Sequence, residues 1–375
     1  NTLNVFQLQL SIGNFPCIWN SPNTVNFLYD NTIRLELIKK IQYSNNQNEF
    51  LNVLTKLIPL NIPRAYVEGY SIMQRSINRC MWPRNTKVIF TSGSHMYNDF
   101  FKAWAAKKID NGSKLLIGQH GGSIGMVKWY FEEAHSIKIS DKFLTWGWSN
   151  KVSNKLENIG IFKSLPTARL SKKGKKRLEI DNILLVQVGF PRYSSHMFST
   201  IVANNQWNKY IEEQFIFVQC LPENIRDKLI VRTYPHDRGL YEKKRWKDRF
   251  NNLTLASDNI SYKQLLNNSS LFISTYNGTT YLESLYLNIP TVIFWNTAFN
   301  ELRDRTIDHF EILRSAKIFF DNPYDAANHV MKIYSNLNDW WFSSNTQKSR
   351  MDFCSIYARE QKNNISKIRN IIKEV

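Results

Sequence analysis

The residues with the clearest chemistry lie between a predicted strand and a predicted helix, in the stretch Ser274 to Glu283, STYNGTTYLE. The first turn of a helix has unpaired backbone N–H groups and a positive dipole end, which suits a phosphate. Glu283, about one turn into the helix, could bind a ribose hydroxyl or a base edge. The residues that we expect to bind a nucleotide here are Ser274, Thr275, Asn277, Gly278, Thr279, Thr280 and Glu283. The alternative is that Asn277 or Thr279 only caps the helix.

A second candidate stretch, VRTYPHDRG (231–239), follows another predicted strand. Arg232 carries a planar, permanently charged guanidinium that suits a diphosphate. His236 could donate to a phosphate oxygen, and we place Tyr234 in the same predicted nucleotide site. The alternative is a solvated turn that contains an Arg–Asp ion pair.

A third stretch, GQHGGSIG (118–125), holds four glycines in eight residues, in a chain with only 14. Glycine lets backbone approach a ligand closely, and histidine exchanges protons near pH 7. We expect His120 to act as general base, with Gln119, Gly121 and Gly122 binding the transferred sugar or the acceptor. The alternative is a tight turn with a hydrogen-bonded histidine. The stretch is neither GxGxxG nor a phosphate-binding P-loop.

Three carboxylates follow the glycine-rich stretch and form a second choice for the base or a nucleophile: Glu132, Glu133 and Asp141. His95, after the turn TSGS (91–94), is a further candidate. Most carboxylates on a helix are simply solvated, which is the alternative for each of them. The chain has no Asp-x-Asp motif, so we expect no metal and no cofactor beyond a nucleotide-sugar co-substrate. Arg232, the helix dipole and the hydroxyls would stabilise the departing phosphate.

Apolar runs of strand length alternate with helical patterns and would position these residues. In the first half the predicted strands are 87–90, 114–117 and 142–146, with a helix over 99–108. In the second half they are 182–186, 227–232, 253–256, 270–275 and 290–295, with a helix over 279–287. Between the halves lies a polar, basic predicted linker, 163–181. The tail from Tyr324 onward has a helical pattern, with Trp340, Trp341 and Phe342 as expected aromatic anchors.

This repetition predicts an α/β protein of GT-B type, with two Rossmann-like domains whose parallel sheets face a central cleft and a C-terminal helical tail. We predict an acceptor-side domain over 1–165, a nucleotide-sugar-binding domain over 166–335 and helices over 336–375 that pack back across both. Ligands of such sheets collect at the carboxyl ends of the strands. The three candidate stretches should therefore face the same cleft.

The chain has 375 residues, 43% hydrophobic and 21% charged, which indicates a folded protein rather than a disordered one. Lys and Arg outnumber Asp and Glu by 49 to 31, a net charge of +18 that favours anionic partners. The densest basic run, at 172–177, is short, and zinc-finger or RNP-type motifs are absent from the sequence. We therefore expect an anionic membrane surface, and not nucleic acid, as the partner.

Four cysteines, far apart, favour buried thiols in a reducing cytosol over a zinc or redox site. No apolar run approaches the ~20 residues of a membrane span. The first residue is Asn1 rather than Met, so we expect an upstream segment to have been removed. Together these features predict a cytoplasmic protein, peripheral at the inner face of the cytoplasmic membrane.

Seven stretches together resemble a family of transferases from bacterial lipopolysaccharide and surface-glycan loci, first catalogued in spirochaetes. They are GQHGGSIG (118–125), ISDKFLTWGW (139–148), NILLVQVGFPRY (182–193), VRTYPHDRG (231–239), STYNGTTYLESLYLNIPTVIFWN (274–296), ELRDR (301–305) and NDWWFSSNTQKSRMDFCSIYA (338–358). More distantly, the chain is similar to capsule Kdo transferases and other enzymes that use CMP-activated acidic sugars. Those relatives carry a His-Pro pair, where this chain has Tyr234-Pro235 followed by His236.

The resemblance implies a metal-independent GT-B glycosyltransferase that works in the cytoplasm on a lipid-linked or surface-glycan acceptor. The best-matching donor is a CMP-activated acidic sugar such as Kdo or a nonulosonic acid. Two alternatives stay open. One is a polyol-phosphate transferase of the teichoic-acid type, and the other is a non-catalytic nucleotide- or glycan-binding module on a GT-B scaffold.

Overall fold

The computed structural model describes residues 2–23, 26–42, 48–149, 153–161, 180–193, 204–361 and 363–375. The predicted linker lies outside the described residues except for its last two positions. The basic run at 172–177 and the predicted domain boundary at 165 also lie outside them.

The first sheet has four parallel strands in sequential order: β1 (Val88–Thr91), β2 (Lys114–Gly118), β3 (Lys142–Thr145) and β4 (Leu156–Asn158). Three of them match the predicted strands, and β4 was not predicted. Alternate residues of β2 pack on opposite faces, with Leu116 against one helical layer and Ile117 against the other. All strands run the same way, so their carboxyl ends share one edge.

Among the described residues, the α-helices that accompany this sheet are α1 (Thr2–Ser11), α2 (Asn31–Gln42), α3 (Glu49–Asn61), α4 (Tyr70–Arg79), α5 (Ser94–Tyr97), α6 (Asp99–Asp110) and α7 (Phe131–Ile139). Only α6 was predicted from sequence, and the Asn98 side chain caps it by accepting from the N–H of Phe101. We call this sheet with its helices the first lobe.

The second sheet has six parallel strands: β5 (Ile183–Val186), β6 (Leu229–Arg232), β7 (Thr254–Leu255), β8 (Leu271–Ser274), β9 (Thr291–Phe294) and β10 (Phe319–Phe320). Their order, β10-β9-β8-β5-β6-β7, is that of a Rossmann fold. The order reverses between β5 and β8, so the loops after these two strands open a crevice at the sheet edge. Every residue of β5, β8 and β9 is buried, as expected of strands covered on both faces.

The helices of this second lobe are α8 (Trp207–Cys220), α9 (Glu223–Arg226), α10 (Glu242–Arg249), α11 (Tyr262–Asn267), α12 (Thr279–Tyr286), α13 (Asp304–Ser315) and α14 (Pro323–Ile333). The predicted helix over 279–287 is α12. It begins directly after the Gly-containing turn that follows β8.

Three helices end the chain: α15 (Leu337–Trp341), α16 (Ser344–Tyr357) and α17 (Asn364–Glu374). After α16 the backbone joins the first lobe, where the N–H of Arg359 donates to the carbonyl of Trp146 at 2.9 Å. In α17, Ile368 packs with Leu8 of α1 on the first sheet. Of the three expected aromatic anchors, Trp341 is fully buried, whereas Phe342 is half exposed and does not anchor the tail.

Candidate functional site

The glycine-rich stretch of the first lobe touches the first turn of α12 in the second lobe. The N–H of Gly122 donates to the hydroxyl of Thr279 at 3.2 Å. A Cβ built on Gly122 would lie 2.3 Å from the carbonyl oxygen of Gly278, so only glycine fits at this position. At Gly121, by contrast, a Cβ would lie 3.7 Å from the Thr279 hydroxyl, an ordinary contact. Two of the three candidate stretches therefore meet where the lobes face each other.

Gln119 fixes the shape of this loop. Its side-chain N–H groups donate to the carbonyl of Gly121 at 2.8 Å and, more weakly, to that of Ile124. Its carbonyl oxygen accepts from the backbone N–H of Trp146 and the indole N–H of Trp148. All its polar positions are thus used inside the protein. The prediction that Gln119 binds substrate is therefore corrected: it braces the loop instead.

Glu133 connects the same loop to the second lobe. One carboxylate oxygen accepts from the N–H of Gly125 at 2.6 Å, and the other pairs with Arg303 at 2.8 Å. The residue is 4% exposed, so the pair is shielded from water on the Glu133 side. A backbone hydrogen bond also joins the lobes at this point, because the N–H of Arg303 donates to the carbonyl of Met126. Glu133 therefore links the two lobes through its ion pair with Arg303. The prediction that it acts as base or nucleophile is corrected, because both carboxylate oxygens are already paired.

His120 lies exposed on the same loop, at the carboxyl end of β2. Its ring is close to Gly93, where a built Cβ would lie 3.4 Å from Nδ1. Glu132 lies near it: burial raises the pKa of this carboxyl, while the charge of His120 lowers it. The phenol of Tyr130 donates to Glu132 at 3.3 Å. His120 and Glu132 are thus neighbours, with the histidine side chain exposed to solvent and the carboxyl group buried.

His95 lies beneath this pair. Its Nε2 is 2.8 Å from the hydroxyl of Ser136, and both side chains are buried. Burial, followed by the charges of His135 and His120, lowers the pKa of His95 to about 4. His95 is therefore neutral near pH 7, and its contact is with Ser136 of α7.

Asp141 lies elsewhere. It immediately precedes β3, at the amino end of the strand, whereas His120 follows the carboxyl end of the neighbouring strand β2. Its carboxylate accepts from the N–H of Leu115 at 2.8 Å and pairs with Lys114 at 3.1 Å. Asp141 therefore joins two strands at the opposite edge of the sheet, and its assignment as a possible base is wrong.

Two predicted nucleotide ligands are buried in the end of β8. The hydroxyl of Ser274 donates to the carbonyl of Tyr276 at 3.2 Å. That of Thr275 donates to the carbonyl of Val186 at 3.0 Å and lies 2.7 Å from the Tyr210 hydroxyl. Both side chains are inaccessible to solvent. Thr275 therefore ties the end of β8 to β5, Ser274 braces the turn after β8, and neither buried side chain is open to a ligand.

The next four predicted residues form the turn itself. Asn277 is fully buried, and its side-chain carbonyl accepts from the Tyr281 hydroxyl at 3.0 Å, while its Nδ2 has no partner among the described residues. Gly278 is the N-cap of α12, and no side chain caps the helix. Thr279 and Thr280 are half-buried. The start of α12, which no side chain caps, therefore lies where the two lobes meet.

Arg232 lies beside this turn at the carboxyl end of β6. Its guanidinium is 5.8 Å from the ring centre of Tyr262, whose hydroxyl donates to the carbonyl of Thr280 at 3.0 Å. Burial raises the pKa of Tyr262 well above its usual range; the charge of Glu283 adds to this, and that of Arg232 opposes it. Arg232, Tyr262 and Glu283 are thus close neighbours at the start of α12.

The remaining two residues of the second candidate stretch differ in exposure. The ring of Tyr234 packs on Gly189, where a Cβ would lie only 2.2 Å from it. Arg238 covers the same ring at 4.3 Å and donates to its hydroxyl. His236 is exposed, 6.4 Å from Tyr234 centre to centre. Tyr234 is therefore a packing residue between two loops, and His236 remains free to meet a ligand.

The sequence model of one family, described as LIC12162 family transferase, matches residues 1–372 of the chain. The chain belongs to this transferase family. A comparison with curated proteins gives no significant match.

Solved structures give the fold of this LIC12162 family transferase. The S. aureus MnaA–UDP structure is 9% identical, with a TM-score of 0.50, and the match covers 99% of this chain and 93% of that one. A Rickettsia africae glycosyltransferase matches at 15% identity, a TM-score of 0.47 and coverages of 100% and 93%. Acinetobacter baumannii MurG is 11% identical, with a TM-score of 0.43, and the match covers 92% of this chain and 96% of that one. The two facing parallel sheets and the helical C-terminus confirm the predicted GT-B fold.

Sequence reasoning missed several residues that shape the site of this transferase. Tyr262 and Tyr276 flank Arg232, and Arg303 holds Glu133. Arg303 lies in the ELRDR stretch, which the family resemblance included without assigning a role. Within the described part of the chain, no three His, Cys, Asp or Glu side chains group as metal ligands. The expectation of a metal-free reaction stays a prediction.

Proposed function

We propose that this transferase is a glycosyltransferase that moves a sugar from a nucleotide-activated donor to a glycan or lipid-linked acceptor, in the gap between the lobes. The observation that supports this most is the contact of Gly122 with Gly278 and Thr279. It brings the only exposed histidine of the glycine-rich stretch to the lobe that carries the free helix start. A donor phosphate at α12 would then have a candidate base on the opposite wall.

The donor side rests on Gly278, Thr279, Thr280 and Arg232. The N–H groups at the start of α12 and the Arg232 guanidinium would together hold the diphosphate or phosphate as negative charge develops on it. Asn277 shapes the turn from below, and Glu283 would bind the ribose. This arrangement needs no metal ion for leaving-group stabilisation.

The acceptor side rests on His120. A general base must reach the acceptor hydroxyl, and an exposed imidazole on a loop braced by Gln119 meets that need. Glu132 would stabilise the imidazolium once the proton has moved, because its carboxylate lies near His120. Gly121 would leave room for the sugar, whereas Gly122 allows the close approach of the two lobes.

We take a CMP-activated acidic sugar, Kdo or a nonulosonic acid, as the donor and a surface polysaccharide as the product. Polyol-phosphate transfer is the second candidate, and a non-catalytic module is the third. A thermal-shift screen with CMP, UDP, GDP and dTDP tests the donor class, because a ligand stabilises the state that binds it. CMP should give the largest shift, and Arg232→Ala should abolish it. Arg79→Ala is the control, because Arg79 is an exposed residue of the first lobe.

Turnover tests the base. His120→Ala should lower turnover by about 10²- to 10⁴-fold with little effect on donor affinity. His135→Ala, an exposed neighbour on α7, should leave both nearly unchanged. Equal turnover in the His120 variant and the wild type would refute the base assignment. Phosphate retained in the product linkage would identify a polyol-phosphate transferase, and tight nucleotide binding without any transfer would favour a non-catalytic module.

The proposed membrane surface is the pair α2 and α3. Most of the large apolar side chains exposed in the described residues lie within 5–60, and on α3 they include Phe50, Leu57 and Ile58. None of the described helices has both the length and the apolar character of a bilayer span. Exposed apolar residues next to Lys39, Lys40 and Lys56 instead suit a helix pair lying in an anionic lipid surface. We place this surface at the cytoplasmic face of the inner membrane.

A further inference from the structure

A cavity of about 270 Å³ lies in the second lobe, over the carboxyl ends of β5 and β6. Its lining includes Arg192 from the loop after β5, Gly239 and Tyr241 from the loop before α10, and Arg245 from α10 itself. Trp207 and Asn208, at the start of α8, complete one wall. Arg232 and the turn at α12, which we propose to hold the donor phosphate, are not among the residues that line this cavity.

The described lining residues carry two guanidinium groups and no acidic side chain. Trp207 also lines the cavity; it is 2% exposed, and its indole nitrogen is inaccessible to solvent and has no hydrogen-bond partner among the described residues. Because Trp207 lines the cavity, its indole is a local reporter of a ligand that binds there.

The cavity is held in shape by local contacts. The Arg245 guanidinium lies 5.0 Å from the Trp207 ring centre, and its Nε donates to the carbonyl of Leu240 at 3.0 Å. The N–H of Arg192 donates to the carbonyl of Arg238 at 2.9 Å. Tyr241 has a left-handed backbone, φ 53°, unusual for a bulky residue and a sign of stored strain near a ligand site.

We propose that this cavity is a phosphate-binding site, distinct from the site at α12. Two guanidinium charges match the −2 charge of a phosphate better than the −1 of a carboxylate. The volume lies just below the ~300 Å³ at which pockets for drug-sized ligands begin. It therefore admits a phosphate with a small substituent, supplied either as free phosphate or as the ester end of a larger substrate.

The test uses the full chain with ¹⁵N-labelled tryptophan and follows its indole N–H resonances during titration with inorganic phosphate. Trp207→Phe identifies the Trp207 resonance. That resonance should shift saturably, with a Kd of about 1 mM or tighter. The Trp148 indole, hydrogen-bonded to Gln119, reports separately on the gap between the lobes. The measurement needs no turnover, so it stands or falls independently of the proposed sugar transfer.

Arg192→Ala and Arg245→Ala should each weaken the response roughly tenfold or more. Arg249→Ala, an exposed arginine on the same helix and outside the cavity lining, should not. Glucose 1-phosphate distinguishes the sources: tighter binding than inorganic phosphate assigns the site to an ester, and weaker binding assigns it to the free anion. An unmoved Trp207 resonance, equal binding of acetate, or an equal loss in the Arg249 variant would overturn the proposal.

Discussion

The backbone N–H of Gly122 and the hydroxyl of Thr279 are hydrogen-bonded at 3.2 Å although 157 residues separate them in sequence. One partner is main chain and the other stands at the first position of α12. The contact therefore sets the distance between the two walls of the gap without a long side chain that could adjust. Any atom added at this point has to move a backbone.

Gly122→Ala should reduce turnover about 100-fold, because its Cβ would meet the Gly278 carbonyl at 2.3 Å and displace one wall of the site. Steady-state kinetics with the identified donor measures this. Gly121→Ala is the matched control, since its Cβ meets only the Thr279 hydroxyl at 3.7 Å. Similar turnover in the two variants would show that the close approach does not position the site.

Glu133→Gln should lower stability by about 2 kcal/mol or more, because it leaves Arg303 without its partner at a partly buried position. Denaturant unfolding measures this. Glu132→Gln, one residue earlier and equally buried, should instead reduce turnover with a smaller stability change. If the Glu132 variant is the less stable of the two, the roles assigned here are reversed.

Glu242 predicts a pH dependence of stability. Burial, followed by the charge of Asp237, raises the pKa of this carboxyl to about 7, against 4.5 as the reference for the unfolded chain. The folded protein then holds a proton that the unfolded chain releases. The contribution of the protonated Glu242 carboxyl to the free energy of unfolding is complete below pH 4.5. It is lost as the pH rises through 7, and the loss is on the order of 3 kcal/mol.

Glu242→Gln removes that titration. The melting temperature of the variant relative to wild type should therefore rise between pH 5 and pH 8, as followed by circular dichroism. Glu212→Gln, exposed on α8, should show no such trend. A constant difference for the Glu242 variant across this range would contradict the raised pKa.

The α2–α3 surface predicts membrane binding. Phe50→Glu combined with Leu57→Glu should weaken sedimentation with phosphatidylglycerol vesicles at least tenfold, because each apolar side chain contributes about 1.5–3 kcal/mol when buried. Met351→Glu adds a charge at an exposed apolar position of α16 and is the control. Unchanged sedimentation of the double variant would place the membrane surface elsewhere.

The sequence predicted the strands well because buried parallel strands are short, continuous apolar runs. The run Asn182–Val186 gave β5, and Ser270–Thr275 gave β8. It failed for β4, Leu156–Asn158, whose three residues are half-buried and carry no such run. It also missed α2 and α3, since their apolar side chains face outward rather than along one buried stripe.

The candidate stretches were found from sequence because strand ends, glycines and helix starts leave local signals. The roles of the individual residues within these stretches could not be found from sequence. Gln119 and Glu133 have the composition of site residues, and only the positions of Trp148 and Arg303 show that their polar atoms are already paired.

By itself, then, the sequence determined the parallel sheets, the glycine-rich loop and the start of α12, since each follows from local pattern. The tertiary structure alone decided that Gly122 meets Thr279, that Ser274 and Thr275 point inward, and that Asp141 lies at the far edge. The physical reason is that hydrogen-bond partners and burial are set by residues distant in the chain, which no local pattern encodes.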